Sequence, residues 1–248
     1  MLFSSTIFLF FFLPSVLFFY YVILRKRFSR NVFLTFASLV FYAWGEPWFV
    51  LVLVGSIIMN WLFGLLVGKY RENRFKARMV LVLMLVFNFS ILYIFKYLVF
   101  TLRNLNLLLN NDITVPNLVL PIGISFFTFQ AASYVIDIYR GKGVLQENIL
   151  NVALYISLFP QLVAGPIVRY ETISDQINGR VENLHDFSEG VRRFIIGLSK
   201  KVLIANNMAI VADQAFGMQA GELSVAFAWL GALAYTLQIF FDFSGYSD

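Results

Sequence analysis

The longest stretches of this chain carry no charge at all. Residues 1–24 are uncharged, and so are 31–45, 47–68, 79–95, 113–136, 148–168 and 223–241. A helix crossing a hydrocarbon core of about 30 Å needs about 20 residues. Most of these runs reach or approach that length; 31–45 is short and leans on its neighbours. Only helices and closed barrels satisfy their own backbone in lipid, so runs of this length predict membrane-spanning helices. Composition agrees, with 60% of the 248 residues apolar and 13% charged, against roughly 45–50% and about 25% in a soluble domain. The expected fold is all-α, a polytopic transmembrane helical bundle. No linker or repeat interrupts it, so residues 1–248 read as a single membrane-embedded region.

The basic residues fix a topology. Arg25, Lys26, Arg27 and Arg30 follow the first apolar run, the reverse of a secretory signal peptide, which predicts a retained first span. Seventeen of the nineteen basic residues lie in 25–30, 69–78 and 140–201, leaving only Lys96 and Arg103. Placing those three segments in the cytoplasm satisfies the positive-inside rule. The amino terminus and the tip Gly45-Glu46-Pro47 then face outward. The span near 79–100 leaves the cytoplasm, 101–117 lies outside and 118–138 returns. Topology accounts for the net charge of +5, and no nucleic-acid partner is needed.

The stretch 140–212 is not a plain pair of spans. The run 148–168 contains Pro160, Gly165 and Pro166 between two basic segments. It reads either as a re-entrant segment, tolerated only inside protein or beside water, or as a proline-kinked helix. Residues 169–186 read as a cytoplasmic loop. Asp186 followed by Glu189 resembles a capping-box start for the next helix. On that helix Arg192, Arg193, Lys200 and Lys201 fall on one half; Val191, Phe194, Ile195, Leu198, Val202 and Ala205 fall opposite. Such a helix lies in the membrane interface or is the snorkelling end of a span.

Polar groups within apolar runs are functional candidates by default. The strongest group is Asp242, Ser244, Tyr246 and Asp248, where carboxylates and hydroxyls flank Gly245 at the end of the last apolar run. They line a polar path or cap a span. Gln130, inside 113–136, needs a polar partner from another span. Gln161, beside Pro160, sits at a constriction or satisfies backbone freed by the prolines. Asp137 reads as a boundary ion-pair residue. The single histidine, His185, lies in the polar loop as an ordinary exposed residue. Cysteine is absent, which removes thiolate chemistry, and no metal-ligand spacing, nucleotide loop or hydrolase elbow appears. The residues by themselves say polytopic membrane protein and no more.

Specific motifs go further. Leu120-Pro121-Ile122-Gly123-Ile124-Ser125-Phe126-Phe127, Ser133 to Gly141, Phe159 to Arg169, Phe187-Ser188-Glu189-Gly190 and Phe241 to Asp248 resemble the membrane-bound O-acyltransferase family, in its alginate O-acetylation branch. The opening Met1 to Ser5 and Phe41-Tyr42-Ala43-Trp44 are similar too, so the resemblance covers essentially the whole chain. It implies a multi-pass enzyme of the bacterial cytoplasmic (inner) membrane, with helices around a funnel. Such an enzyme moves an acyl group from a cytoplasmic donor, acetyl-CoA or another acyl thioester, toward a hydroxyl acceptor at the outer face. Its implied partners are the lipid bilayer, periplasmic polysaccharide-acetylation proteins and the polysaccharide itself.

The family's catalytic histidine belongs to a Trp-His pair, which is absent here. The resemblance therefore implies an amino-terminal half, with no catalytic residue in these 248 positions and the expected histidine beyond Asp248. Alone, this half is expected to be inactive. Gln130, Gln161, Arg169, Asp242, Ser244, Tyr246 and Asp248 become candidates for the substrate path, with no bound cofactor or metal. The alternative from another class is a transporter or pore subunit of a cell-envelope export system, since polar groups at broken spans also mark transport paths.

Overall fold

A computed structural model describes residues 3–109, 112–162, 165, 167–219 and 221–248. Val163, Ala164 and Pro166 of the Phe159–Arg169 motif, and Met1 and Leu2 of the opening motif, lie outside the described residues. The described elements are helical, in chain order α1 (Phe8–Ile23), α2 (Arg27–Gly45), α3 (Val50–Lys69), α4 (Arg74–Leu109), α5 (Ile124–Arg140), α6 (Ile149–Ser157), α7 (Phe159–Leu162), α8 (Tyr170–Ile173), α9 (Gln176–Gly179), α10 (Leu184–Gly217) and α11 (Val225–Ser247). Among the described residues, α3, α4, α10 and α11 are long and apolar enough to cross a membrane. The chain is a multi-pass helical membrane protein. It divides into two compact units, one of Phe12–Arg180 and the other of Leu2–Phe11 with Val181–Asp248.

In the first unit α5 is the central helix. It packs against α3, α4 and α6, while α2 covers α6 and α7. Ten of the residues of α5 are buried, among them Phe127, Ala131, Tyr134 and Val135. Its boundaries are set by glycine. Gly123 (φ 75°) precedes it and Gly141 (φ 70°) ends it. At that end Gly141 N donates to Ile138 O at 3.0 Å and Lys142 N to Asp137 O at 2.9 Å, the paired bonds of a Schellman turn. The uncharged run 113–136 therefore does not become one helix. Pro116 and Pro121 hold the residues before them extended, and helix begins only at Ile124.

Two asparagines fasten α3 to α4 inside this unit. Asn60 Nδ2 donates to Asn88 Oδ1 at 3.2 Å and Asn88 Nδ2 returns to Asn60 Oδ1 at 2.9 Å, both side chains being buried. Each amide also donates to a carbonyl of its own helix, Ser56 O and Met84 O. Helix α4 keeps its helical course past Lys96 and Arg103 through a wide turn at Tyr93–Tyr97.

The second unit is built on the hairpin of α10 and α11. Helix α10 starts earlier than the Asp186/Glu189 pattern suggests. Asn183 is the cap, its Oδ1 accepting from Asp186 N at 2.7 Å while Asp186 Oδ2 accepts from Asn183 Nδ2 at 2.8 Å. The side chains thus reciprocate around the first turn, with Asn183 and Asp186 in place of Asp186 and Glu189. Glu189 is left to pair with Arg192 and Arg193. The amphipathic segment is the first part of a longer helix, continuing through a wide turn at Lys200–Ala205. Small residues let α10 and α11 approach closely. A Cβ on Gly197 would collide with the Gly245 carbonyl oxygen, and one on Gly231 with the Ala215 methyl group.

Candidate functional site

The proline of the 148–168 run breaks the helix, and the break organises a polar site in the first unit. Helix α6 has 9 residues, about 14 Å at 1.5 Å per residue, too short to cross. Leu158 then turns extended (ψ 115°) before α7. Phe159 N cannot continue the α6 ladder and donates instead to Ser38 Oγ of α2 at 3.1 Å. The carbonyl of Tyr155, four residues back, takes its hydrogen bond from Gln130 Nε2 at 2.8 Å. The same amide donates to Gln161 Oε1 at 2.9 Å. Gln130, 2% exposed, therefore links α5 to both sides of the break. Two of the sequence candidates meet here, and Gln161 is at once a partner for Gln130 and a neighbour of the break. Gly165 lies over this turn, since a Cβ on it would stand 3.0 Å from Gln161 Cα. Arg169 is not part of the cluster. Its side chain is 74% exposed and pairs with Glu171 at 3.6 Å.

Aromatic side chains hold the frame. The Tyr170 ring packs edge-on against Tyr134 (4.9 Å between centroids) and Tyr155 (5.2 Å). Tyr170 OH donates to Val144 O at 2.5 Å and accepts from Gln146 Nε2 at 2.8 Å, and Gln146 Oε1 accepts from Asn151. Burial is the main reason the Tyr170 phenol is pushed up to about 12, with the Gln146 bond opposing the shift. Asp137 differs from the expected boundary ion-pair role. It is buried, and its Oδ2 accepts from Glu171 N at 3.0 Å and Ser133 Oγ at 3.3 Å. Those bonds dock the 168–173 segment onto α5.

The Asp242–Asp248 motif lies in the second unit, on the last turns of α11. Lys200 Nζ donates to Ser244 Oγ at 3.0 Å and Asp248 Oδ2 at 2.5 Å, and Lys201 pairs with Asp242. The two carboxylates are thus neutralised by two lysines at the Gly197–Gly245 crossing, with each partner about a third exposed. Tyr246 stands edge-on to Phe3 at 5.2 Å. Sequence reasoning gave Lys200 and Lys201 to the headgroups and so missed them as partners of this motif. The signal available was two lysines and two aspartates set in apolar surroundings. His185 is 91% exposed and 3.5 Å from Asp186. Two open grooves, of about 440 Å³ beside Gln146 and Asn178 and about 730 Å³ beside Asp213 and Ser224, are lined by none of the sequence candidates. No group of three His, Asp or Glu that could hold a metal occurs among the described residues.

Residues 146–248 match the model of the membrane-bound O-acyltransferase family. The probable alginate O-acetylase AlgI of Pseudomonas aeruginosa is 42% identical over the whole chain. The chain belongs to the membrane-bound O-acyltransferase family. The matched residues include Gln161, Arg169 and the Asp242–Asp248 motif; Gln130 lies before them. A peptidoglycan O-acetyltransferase of Helicobacter pylori is 35% identical, again over 100% of this chain. The teichoic acid D-alanyltransferase of Streptococcus thermophilus is 31% identical over 51% of it. This acyltransferase-family chain covers 48% of the Pseudomonas protein and 52% of the Helicobacter one, so it spans about half the length of the curated relatives it matches. Family membership does not favour the alternative of a transporter or pore subunit.

Proposed function

We propose that the protein takes part in O-acetylation of an exopolysaccharide such as alginate, in the cytoplasmic (inner) membrane. The observation that carries the reading is similarity along the whole chain to proteins named alginate O-acetylases, at 40–42% identity. In this reading the donor is acetyl-CoA or another acyl thioester on the cytoplasmic side. The acceptor hydroxyl is at the outer face, reached directly or through periplasmic polysaccharide-acetylation proteins. The hydroxyl oxygen attacks the thioester carbonyl, the carbon–sulfur bond breaks, and the hydroxyl proton goes through a base to the leaving thiolate. A positioned base contributes typically 10²–10⁴-fold. His185, almost fully exposed beside Asp186, is not set to serve as one, and residues 1–248 alone do not catalyse the transfer. Their part is to hold and shape the path. Gln130 and Gln161 present amides at a broken helix, and Asp242, Ser244, Tyr246 and Asp248 end α11 as a polar segment. Arg169, exposed beside Glu171, stands at the cytoplasmic mouth.

The test measures base-labile acetyl esters on exported polymer in a strain lacking the O-acetylase. The complete protein should restore them and residues 1–248 alone should not. No esters with the complete protein would refute the acetylation reading, and esters from residues 1–248 alone would refute the assignment of His185 as a bystander. A peptidoglycan acceptor is the second reading, favoured by the full-chain relative from Helicobacter. Acetyl esters found on muramic acid instead of the exported polymer would select it.

A further inference from the structure

Three arginines from two distant segments gather on one buried tyrosine in the first unit. Tyr20, 7% exposed, lies near the end of α1. The Arg30 guanidinium stands 4.9 Å from the centre of its ring and that of Arg180 stands 5.6 Å away. The Tyr20 hydroxyl oxygen accepts from Arg180 Nε at 2.9 Å and from Arg27 Nη1 at 3.4 Å. The positive-inside rule explains why basic residues follow α1. It does not explain why Arg180, some 150 residues later, is brought among them.

The cluster is held in place by its own backbone contacts. Arg30 Nε donates to Leu24 O at 2.9 Å, Arg180 Nη1 to Ile177 O at 2.8 Å, and Arg27 Nη2 to Arg180 O. Asn31 Nδ2 donates to Ile177 O at 3.0 Å, which pins the segment carrying Arg180 to α2. Like charges collected this closely repel. The first turn of α2, which carries Arg27 and Arg30 and no acidic residue, is also the positive end of the helix dipole. All three arginines remain partly exposed. Exposed Arg25 and Lys26 lie beside them.

We propose that Arg27, Arg30 and Arg180, fixed on Tyr20, form a binding site for the phosphate of an anionic glycerophospholipid headgroup at the end of α1. Guanidinium is the side chain suited to phosphate, with five donors in a planar fork. The adjoining apolar helix would lie beside the lipid tails, and anionic lipids enrich the cytoplasmic leaflet. The site holds the lipid and takes no part in acyl transfer.

The test uses the purified protein in nanodiscs, with retained lipid counted by native mass spectrometry and the midpoint of thermal unfolding recorded. Phosphatidylglycerol should be retained over phosphatidylcholine and should raise the midpoint. Arg30→Gln and Arg180→Lys should each weaken retention about tenfold, the size of one lost charge-assisted hydrogen bond. Arg25→Gln with Lys26→Gln, which changes as much charge outside the cluster, should weaken it much less. Equal retention of the two lipids by the unaltered protein, a comparison that needs no variant to fold, would overturn the proposal. So would an equal loss in the Arg25/Lys26 variant, which would mean diffuse attraction. Stabilisation by coenzyme A but not by phosphatidylglycerol would overturn it as well, by assigning the phosphate to a soluble donor.

Discussion

Replacing Gln130 by Leu tests whether the helix break is a designed polar junction. Leucine keeps most of the volume, so little of the effect comes from a cavity, which would confuse Gln130→Ala. The substitution removes the donor to Tyr155 O and to Gln161 Oε1. In a water-soluble core each buried acceptor left unpaired costs about 1–3 kcal/mol, giving up to about 6 for the two. Within a membrane the unfolded reference also finds partners, and measured interhelical hydrogen bonds average about 0.6 and reach about 1.7 kcal/mol. The second scale applies to a helix in a membrane bundle, so the expected loss is about 1–3 kcal/mol. The assay is reversible unfolding in bicelles, with Gln130→Leu, Gln161→Leu and the double variant measured together. The double variant should lose less than the sum of the singles, because the Gln130–Gln161 bond is then counted once. Additivity within about 0.3–0.5 kcal/mol is what independent sites show, and finding it here would refute the junction.

Two further outcomes follow from close packing and from charge. In Gly64→Ala the new Cβ would stand 2.5 Å from Tyr134 Cε1, a ring fully buried and packed on Tyr170. Unfolding should move by about 1–3 kcal/mol, the usual cost of overpacking, and an unchanged midpoint would show that Tyr134 is free to give way. For Lys201 and Asp242, the single variants Lys201→Asp and Asp242→Lys should each reduce the amount of folded protein in the membrane, and the exchange of both should restore it. Full levels with either single variant would mean that the pair braces nothing.

Much of the architecture was legible in uncharged runs, because lipid forbids unpaired backbone and charge together. Runs 47–68 and 223–241 became α3 and α11 nearly as read, since each is a long apolar stretch without an internal proline. Run 31–45 gained the preceding basic residues and became α2, a 19-residue helix. Run 113–136 was misjudged at its start, because hydropathy does not register that Pro116 and Pro121 each lack a donor and hold the preceding residue extended.

The candidate site was legible one residue at a time and not as a set. Gln130 announced that it needed a partner, and Pro160 announced a break. That these are one fact depends on which carbonyl the break releases, and this becomes visible only when backbone donors and acceptors are followed through it. Phe159 N goes to Ser38, so Tyr155 O has room for Gln130, and Gln130 reaches Gln161 with its other proton. The lysines of α10 were misassigned for a related reason. The positive-inside rule counts basic residues without asking which carboxylate an adjacent helix will bring. Forty-one residues separate Lys201 from Asp242 in the sequence, and a close helix crossing that only glycine permits puts their charges together. Polar groups in an apolar bundle are therefore read best in pairs. One that finds its partner within the fold braces it, and one gathered with others of the same sign, as the arginines on Tyr20 are, points to a ligand of the opposite charge.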